Sequence, residues 1–244
     1  MSARALQHVV VCAHHGCAFV DALVTETLTP AEQAMFRAVD RRAFAADPDR
    51  RHRVVSAVID ELPVSVAIAG LPAVYALFDD RSCFFPVVQG KAPLAVAFAA
   101  ALEPLAADAA RLEGAIARAR RRRRRVRGIR RAEGVEVVCV DDGAVARYQA
   151  AREALGDRVV AAVGGGARLA GIGGGDTAWA LATRGPAGVE LGGCSAPLAQ
   201  LLQRCDGLDD DGFVACARAL GCDSDDEAAA LLADLLADGL VERA

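Results

Sequence analysis

Lysine is almost missing. Of the 28 basic side chains only Lys91 is a lysine, and the rest are arginines. Chemistry built on a lysine has one candidate, in Gln89-Gly90-Lys91-Ala92-Pro93. A phosphate-cradling loop needs Ser or Thr after Gly-Lys, because that hydroxyl holds the magnesium ion. Ala92 stands there instead. Aromatic residues are also scarce, with one Trp and two Tyr in 244 residues. Alanine fills 54 positions, so the core has to be Ala, Leu and Val, which favours closely packed helices.

Long apolar runs are missing too. The longest uncharged stretch, Leu62 to Phe78, has 17 residues and is broken by Pro63, Gly70 and Pro72. A spanning helix needs about 20 apolar residues, so this stretch reads as buried helix. Val9-Val10-Val11-Cys12-Ala13 is too short for a secretory signal. The expectation is a cytoplasmic protein whose eight cysteines are mostly reduced thiols. None of them forms a Cys-x-x-Cys pair. No nucleophile triad is legible, since the histidines are 8, 14, 15 and 52 and His52 sits among arginines.

What is present is a globular composition, 54% hydrophobic and 25% charged, with net charge -4. The first half reads as helices punctuated by proline. Thr29-Pro30-Ala31-Glu32 is a helix start, with a capping hydroxyl, a proline in the first turn and an acid placed to reach back. Val55, Val58, Ile59 and Leu62 give an apolar stripe at helical spacing. Leu71 to Phe78 reads as a short helix and Phe84-Phe85-Pro86 as a packed corner. Residues 92–102 and 105–120 read as two further helices.

Ten arginines then fall in the fourteen residues Arg118 to Arg131. Without them the chain has 18 basic against 32 acidic residues. Like charges repel and avoid a core, so the run predicts a frayed helix end and a flexible linker. Beyond it, Val135 to Val140 is β-rich, Ala144 to Leu155 is helical, and Val159 to Val163 is a strand candidate. Trp179 to Arg184, Gly185-Pro186-Ala187-Gly188 and Val189-Glu190-Leu191 give a hairpin signal. Three helical stripes follow: Leu198/Leu201/Leu202/Cys205, Phe213/Cys216/Ala217/Leu220, and Ala228/Leu231/Leu232/Leu235/Leu236.

The expected fold is α+β. It has an N-terminal extension over 1–20, an all-helical domain over 21–117, an arginine-rich linker over 118–132, and a winged-helix-like domain over 133–244. That last domain combines a small antiparallel sheet with three helices.

Several motifs invite sharper readings. Cys12, His14, His15 and Cys17 are potential metal ligands, but zinc prefers two spaced pairs from different elements. The plainer expectation is a frayed extension. Gly164-Gly165-Gly166 and Gly173-Gly174-Gly175 lack the amphipathic helix that a dinucleotide fingerprint requires. Asp206 to Gly212 resembles a calcium loop, but Gly207 and Arg218 fall where carboxylates are needed. It reads as a turn with a helix cap. A winged helix beside a basic run suggests a nucleic-acid-binding regulator. Against that, residues 205–244 hold 11 acids and two arginines, and acids opening the third helix would face phosphates.

The order of several segments resembles a family. These are Leu23 to Glu32, Phe36-Arg37-Ala38-Val39-Asp40, Asp47-Pro48-Asp49-Arg50-Arg51, Phe84-Phe85, Pro93 to Phe98, Ala146-Arg147-Tyr148-Gln149-Ala150 and Asp234 to Leu240. The chain is similar to partner proteins of multinuclear non-heme iron-dependent oxidative enzymes. Those systems make ribosomally synthesised, post-translationally modified peptides. The resemblance runs from about Ala22 to the end, outside the Cys/His segment and the arginine run. It implies a non-catalytic adaptor that binds the iron enzyme and presents a precursor peptide, often for chemistry at cysteine. The iron would belong to the enzyme, with no cofactor in this chain. By the same analogy, the leader peptide adds to an edge strand at Val189, Glu190 and Leu191, beside a groove wall at Asp226, Ala229, Ala230 and Ala233. Proline at 190 is expected to weaken that binding if the Glu190 amide joins the peptide ladder. A metal-dependent enzyme using Cys12, His14, His15 and Cys17 is the remaining alternative.

Overall fold

The computed structural model describes residues 3–44, 49–121 and 126–243. It is a mixed structure, with a large N-terminal helical region and two small antiparallel sheets. The chain divides into two units, neither continuous in sequence: residues 1–110 with 151–171, and residues 111–150 with 172–244.

The first unit opens with α1 (Ala3–His14) and α2 (Val20–Thr27). The segment expected as a frayed extension is thus helical, with Val9, Cys12 and Cys17 buried. Next comes α3 (Pro30–Ala38), whose start follows the predicted chemistry. The Glu32 amide donates to the Thr29 hydroxyl at 3.4 Å, and the Thr29 amide donates to the Glu32 carboxylate at 2.8 Å. After α4 (Arg41–Phe44) and α5 (Arg50–Glu61), Pro63 stops one helix and begins α6 (Pro63–Ala69). Then come α7 (Leu71–Ala76) and α8 (Arg81–Val88). The expected corner at Phe84-Phe85-Pro86 lies inside α8, capped by Asp80 accepting from the amides of Ser82 and Cys83. Asp47 and Pro48, in one of the segments that carry the resemblance, lie outside the described residues.

The two helices expected over 92–120 are there, together α9 (Leu94–Arg121), and they meet at a kink at Ala107, where φ is 30°. The core of the first unit is mostly Ala, Val and Leu, as expected, and it encloses an aromatic cluster. Phe78 and Phe84 have centroids 4.8 Å apart, and Phe98 meets Phe78 edge-on at 5.6 Å. Each fully buried Phe of this kind is worth roughly 1.5–3 kcal/mol in transfer alone.

Residues 122–125, within the arginine run, lie outside the described residues. On either side the run keeps the expected helix end and, over residues 126–128, has no helix or strand, but the expected linker stops at Ile129. The run is helix through Arg121, and Arg130 and Arg131 lie in β1 (Ile129–Arg131). Arg131 is buried, with a guanidinium nitrogen 3.6 Å from Glu136 on β2 (Val135–Asp141). Arg118 of α9 approaches the same carboxylate at 3.5 Å. A like-charge run can enter a core where a buried carboxylate meets it.

After α10 (Ala144–Leu155), the strand candidate at 159–163 is helix α11 (Val159–Gly164). It packs on α5 and α6, and the Leu169 amide donates to the Ala67 carbonyl at 3.2 Å. Short apolar runs fit either state by pattern alone, and this one is settled by helices about a hundred residues earlier in the chain.

The second unit holds the hairpin β3 (Thr177–Gly185) and β4 (Gly188–Cys194), then α12 (Ala196–Arg204), β5 (Asp206–Leu208), α13 (Asp210–Ala219), α14 (Asp225–Ala237) and β6 (Val241–Arg243). One sheet has the order β2-β3-β4 and the other β5-β1-β6. The first is covered on both faces. Val137, Trp179, Leu181 and Cys194 lie against the cluster of Leu201, Leu202, Phe213, Leu232 and Leu235. The alternate residues, with Glu136 among them, face α9, where Arg118 reaches it.

Candidate peptide-binding edge

In the order β2-β3-β4, strand β4 is an edge. Its register with β3 pairs Val189 with Arg184, Glu190 with Thr183, and Leu191 with Ala182. The Arg184 amide donates to the Gly134 carbonyl at 2.9 Å, so Arg184 points its backbone toward β2 and away from β4. Antiparallel pairs alternate between bonded and non-bonded. The Arg184–Val189 pair is therefore non-bonded, as is Ala182–Leu191. The tight turn closed by Gly185 and Gly188 gives the same alternation.

It follows that Val189, Leu191 and Gly193 present their amides and carbonyls outward. Glu190 spends its own on Thr183. This corrects the expectation attached to position 190: its amide belongs to the hairpin, and proline there would cut the hairpin first.

The side chains divide accordingly. Val189 and Leu191 are half-buried on the face turned toward α9, while Glu190 is exposed on the opposite face with Thr183. Gly192 and Gly193 are exposed and carry no side chain, so another backbone can approach closely. Cys194 ends the strand half-buried, and burial pushes its thiol pKa up.

The other half of the predicted site lies on α14. Ala228, Leu232 and Leu235 are buried, whereas Asp226, Ala229, Ala230 and Ala233 are all exposed on its outer side. Ser224 caps the helix, accepting from the Glu227 amide at 3.1 Å, and Glu227 accepts from the Asp223 amide at 2.6 Å. Asp225, Asp226 and Glu227 occupy the first turn. The positive end of this helix is thus met by its own acids, and the surface it offers there is acidic.

The two halves rest on different supports. Helix α14 packs on α13 and β6, while β4 pairs with β3. The strand edge nearest α14 is β6, which the sequence reading did not identify. Gly239 before Val241-Glu242-Arg243 is its only local signal, and three residues are too few to show an alternating pattern. Its register, Arg130 with Glu242, is held by an ion pair at 2.8 Å. With seven residues against three, β4 offers the longer ladder.

The remaining sequence candidates have structural surroundings. Asp209 caps α13 by accepting from the Gly212 amide at 2.8 Å, and Asp206 to Leu208 is strand β5. The Gly174 amide donates to the Asp141 carboxylate. His14 meets Phe44 edge-on and His15 lies against Phe78 and Phe84. Cys12 and Cys17 are both buried, and the Cys17 amide donates to the Cys12 carbonyl at 3.1 Å. Among the described residues, no group of three or more His, Cys, Asp or Glu side chains gathers as a metal site.

No family model matches the chain, and no curated protein or solved structure matches it.

Proposed function

We propose that the chain is a non-catalytic adaptor. It binds the leader of a ribosomally made precursor peptide together with a multinuclear non-heme iron-dependent oxidative enzyme. It presents the peptide for modification, at cysteine, in the cytoplasm. The observation that carries this reading is the edge of β4, unpaired among the described residues, with outward-facing residues at 189, 191 and 193, the last of them one of the two glycines Gly192 and Gly193. An extended peptide adds there by main-chain hydrogen bonds, while its alternate side chains supply selectivity. The resemblance of the segments between Leu23 and Leu240 supplies the class of partner.

In this reading residues 133–244, with the hairpin β3–β4 and helices α12, α13 and α14, form the winged-helix-like domain. The outer residues of α14, Asp226, Ala229, Ala230 and Ala233, give the leader a second surface. Their acidic start favours a peptide over nucleic acid, because phosphates would meet Asp225, Asp226 and Glu227. Iron is assigned to the enzyme. Among the described residues no helix is long and apolar enough to cross a membrane, and the proposed partners are not membranes.

The test is purification of the tagged protein from its host at moderate salt, followed by mass spectrometry. An iron-containing oxidative enzyme and a small leader-bearing peptide are expected to come with it. That peptide should then bind the purified chain directly. Failure to bind it, or salt-sensitive binding of nucleic acid lost on neutralising Arg121 to Arg125, would overturn the reading in favour of a nucleic-acid-binding regulator.

A further inference from the structure

Helix α1 closes across a left-handed glycine. Gly16 has φ of 60°. Its amide donates to the Ala13 carbonyl at 2.9 Å, and the Cys17 amide donates to the Cys12 carbonyl at 3.1 Å. These two bonds are the Schellman arrangement, in which the residue after the glycine packs its side chain on the residue five positions earlier. Those two positions ordinarily hold a hydrophobic pair. Here both are cysteines, both are buried, and each thiol shifts the pKa of the other.

The geometry points to a reversible disulfide between Cys12 and Cys17, a dithiol site whose oxidant is a small-molecule disulfide such as oxidised glutathione. A backbone cap that sets the two cysteines at its paired packing positions leaves little to rearrange before the sulfurs bond. Six residues span the pair, so the ring is small and local. The cap is also held from outside. The Arg51 guanidinium donates to the carbonyls of His15 and Gly16 and to the Asp79 carboxylate. Neither sulfur is needed for the peptide edge, so this site stands apart from the adaptor reading.

The chemistry balances as a thiol–disulfide exchange. The Cys12 thiolate attacks one sulfur of the oxidant, breaking its S–S bond and releasing one thiolate. The Cys17 thiol then loses its proton to solvent and attacks the Cys12 sulfur. The Cys12–Cys17 bond forms and the second thiolate of the oxidant leaves. Two cysteine thiols are oxidised and one disulfide is reduced to two thiols. The hydrogen bond from Cys17 draws the Cys12 pKa down, which suits it to the first attack, while the same bond and burial push Cys17 up. Cys12 is fully buried and Cys17 nearly so, so exchange proceeds through opening of the cap. The equilibrium after long incubation is therefore the quantity to read, rather than a rate.

The full chain would be equilibrated in glutathione buffers from reducing to oxidising, quenched in acid, denatured, alkylated and cut with trypsin. The fragment 5–37 contains Cys12 and Cys17 and none of the other six cysteines. In oxidising buffer it is expected to be lighter by two hydrogens and to carry no alkyl group. In reducing buffer it should carry two. Cys12→Ser and Cys17→Ser should each abolish the internal link, and the wild-type readout stands alone if either variant fails to fold. A doubly alkylated fragment in oxidising buffer, or one joined to glutathione or to another cysteine, would overturn the proposal.

Discussion

The Arg184 amide donates to the Gly134 carbonyl at 2.9 Å, and this single bond determines which residues of β4 face outward. It fixes the phase of β3 against β2. The phase passes through the register to β4 and leaves Val189 and Leu191 open while Glu190 is committed to Thr183. Gly134 is tightly placed for this contact. Its φ is 87°, and a Cβ there would lie 2.7 Å from the Arg184 Cβ. Only glycine takes that conformation without strain.

Proline separates the two roles. Val189→Pro removes an outward donor and leaves the β3–β4 bonds intact. Leader affinity should fall by about tenfold, or ~1.4 kcal/mol, the scale of one lost hydrogen bond. Glu190→Pro should instead lower the melting temperature, because it cuts the hairpin ladder. Fluorescence anisotropy of a labelled leader and thermal melts of both variants would check this. A folded Val189→Pro protein with unchanged affinity would rule out β4 as the peptide edge.

Arg118 and Arg131 both approach Glu136, and Arg131 and Glu136 are each over nine-tenths buried. Glu136→Ala should destabilise the second unit by roughly 3 kcal/mol, because it removes a buried carboxylate that two guanidinium groups approach. The double variant Arg131→Met with Glu136→Leu should recover most of that loss. Urea unfolding followed by Trp179 fluorescence reports it, since Trp179 lies in the same sheet. If the double variant is no more stable than the single one, the cost does not come from the Arg131–Glu136 charge pair.

The sequence carried the local chemistry well and the distant pairings poorly. The capping box at Thr29 and Glu32 needs only four consecutive residues, and it is where the spacing puts it. The hairpin around Pro186 and Ala187 is likewise local. Ile129 to Arg131 reads as part of a charge run, yet it is the centre of a sheet whose neighbours begin at 206 and 241. Only those partners make it a strand. Val159 to Val163 has strand composition, and tertiary contact with α5 and α6 wins over that preference. On the candidate edge, Val189 to Leu191 could be placed as a strand from the sequence, but which amides point outward depends on Gly134, more than fifty residues earlier.

The capping box also gives a pH dependence. Hydrogen bonds from Thr29 hold the Glu32 carboxyl below its ordinary pKa. A carboxylate depressed on folding stabilises the protein above its unfolded pKa, and that contribution is lost as pH falls through the folded value. Glu32→Gln should therefore flatten the acid limb of the melting-temperature profile. Thr29→Ala should cost about 1 kcal/mol at neutral pH, since it removes the cap. An unchanged acid limb in Glu32→Gln would show that the box contributes nothing to acid stability.

Cys83 acts in the opposite direction. Burial, with a smaller contribution from the nearby Asp80 charge, pushes its thiol up from 9.0 to about 12. A raised acid favours the protonated form in the folded protein. Its contribution is whole below pH 9.0 and is lost as pH rises toward about 12, where the unfolded chain ionises more readily. Cys83→Ala should cost a little stability at neutral pH through lost packing against a filled core. It should then lose less than wild type as the pH climbs through that window, so the two curves converge. Guanidinium midpoints measured at closely spaced alkaline pH values would show the convergence. Parallel curves would mean that the thiol ionises alike in the folded and unfolded chains, and that Cys83 is not sealed from solvent as its surroundings imply.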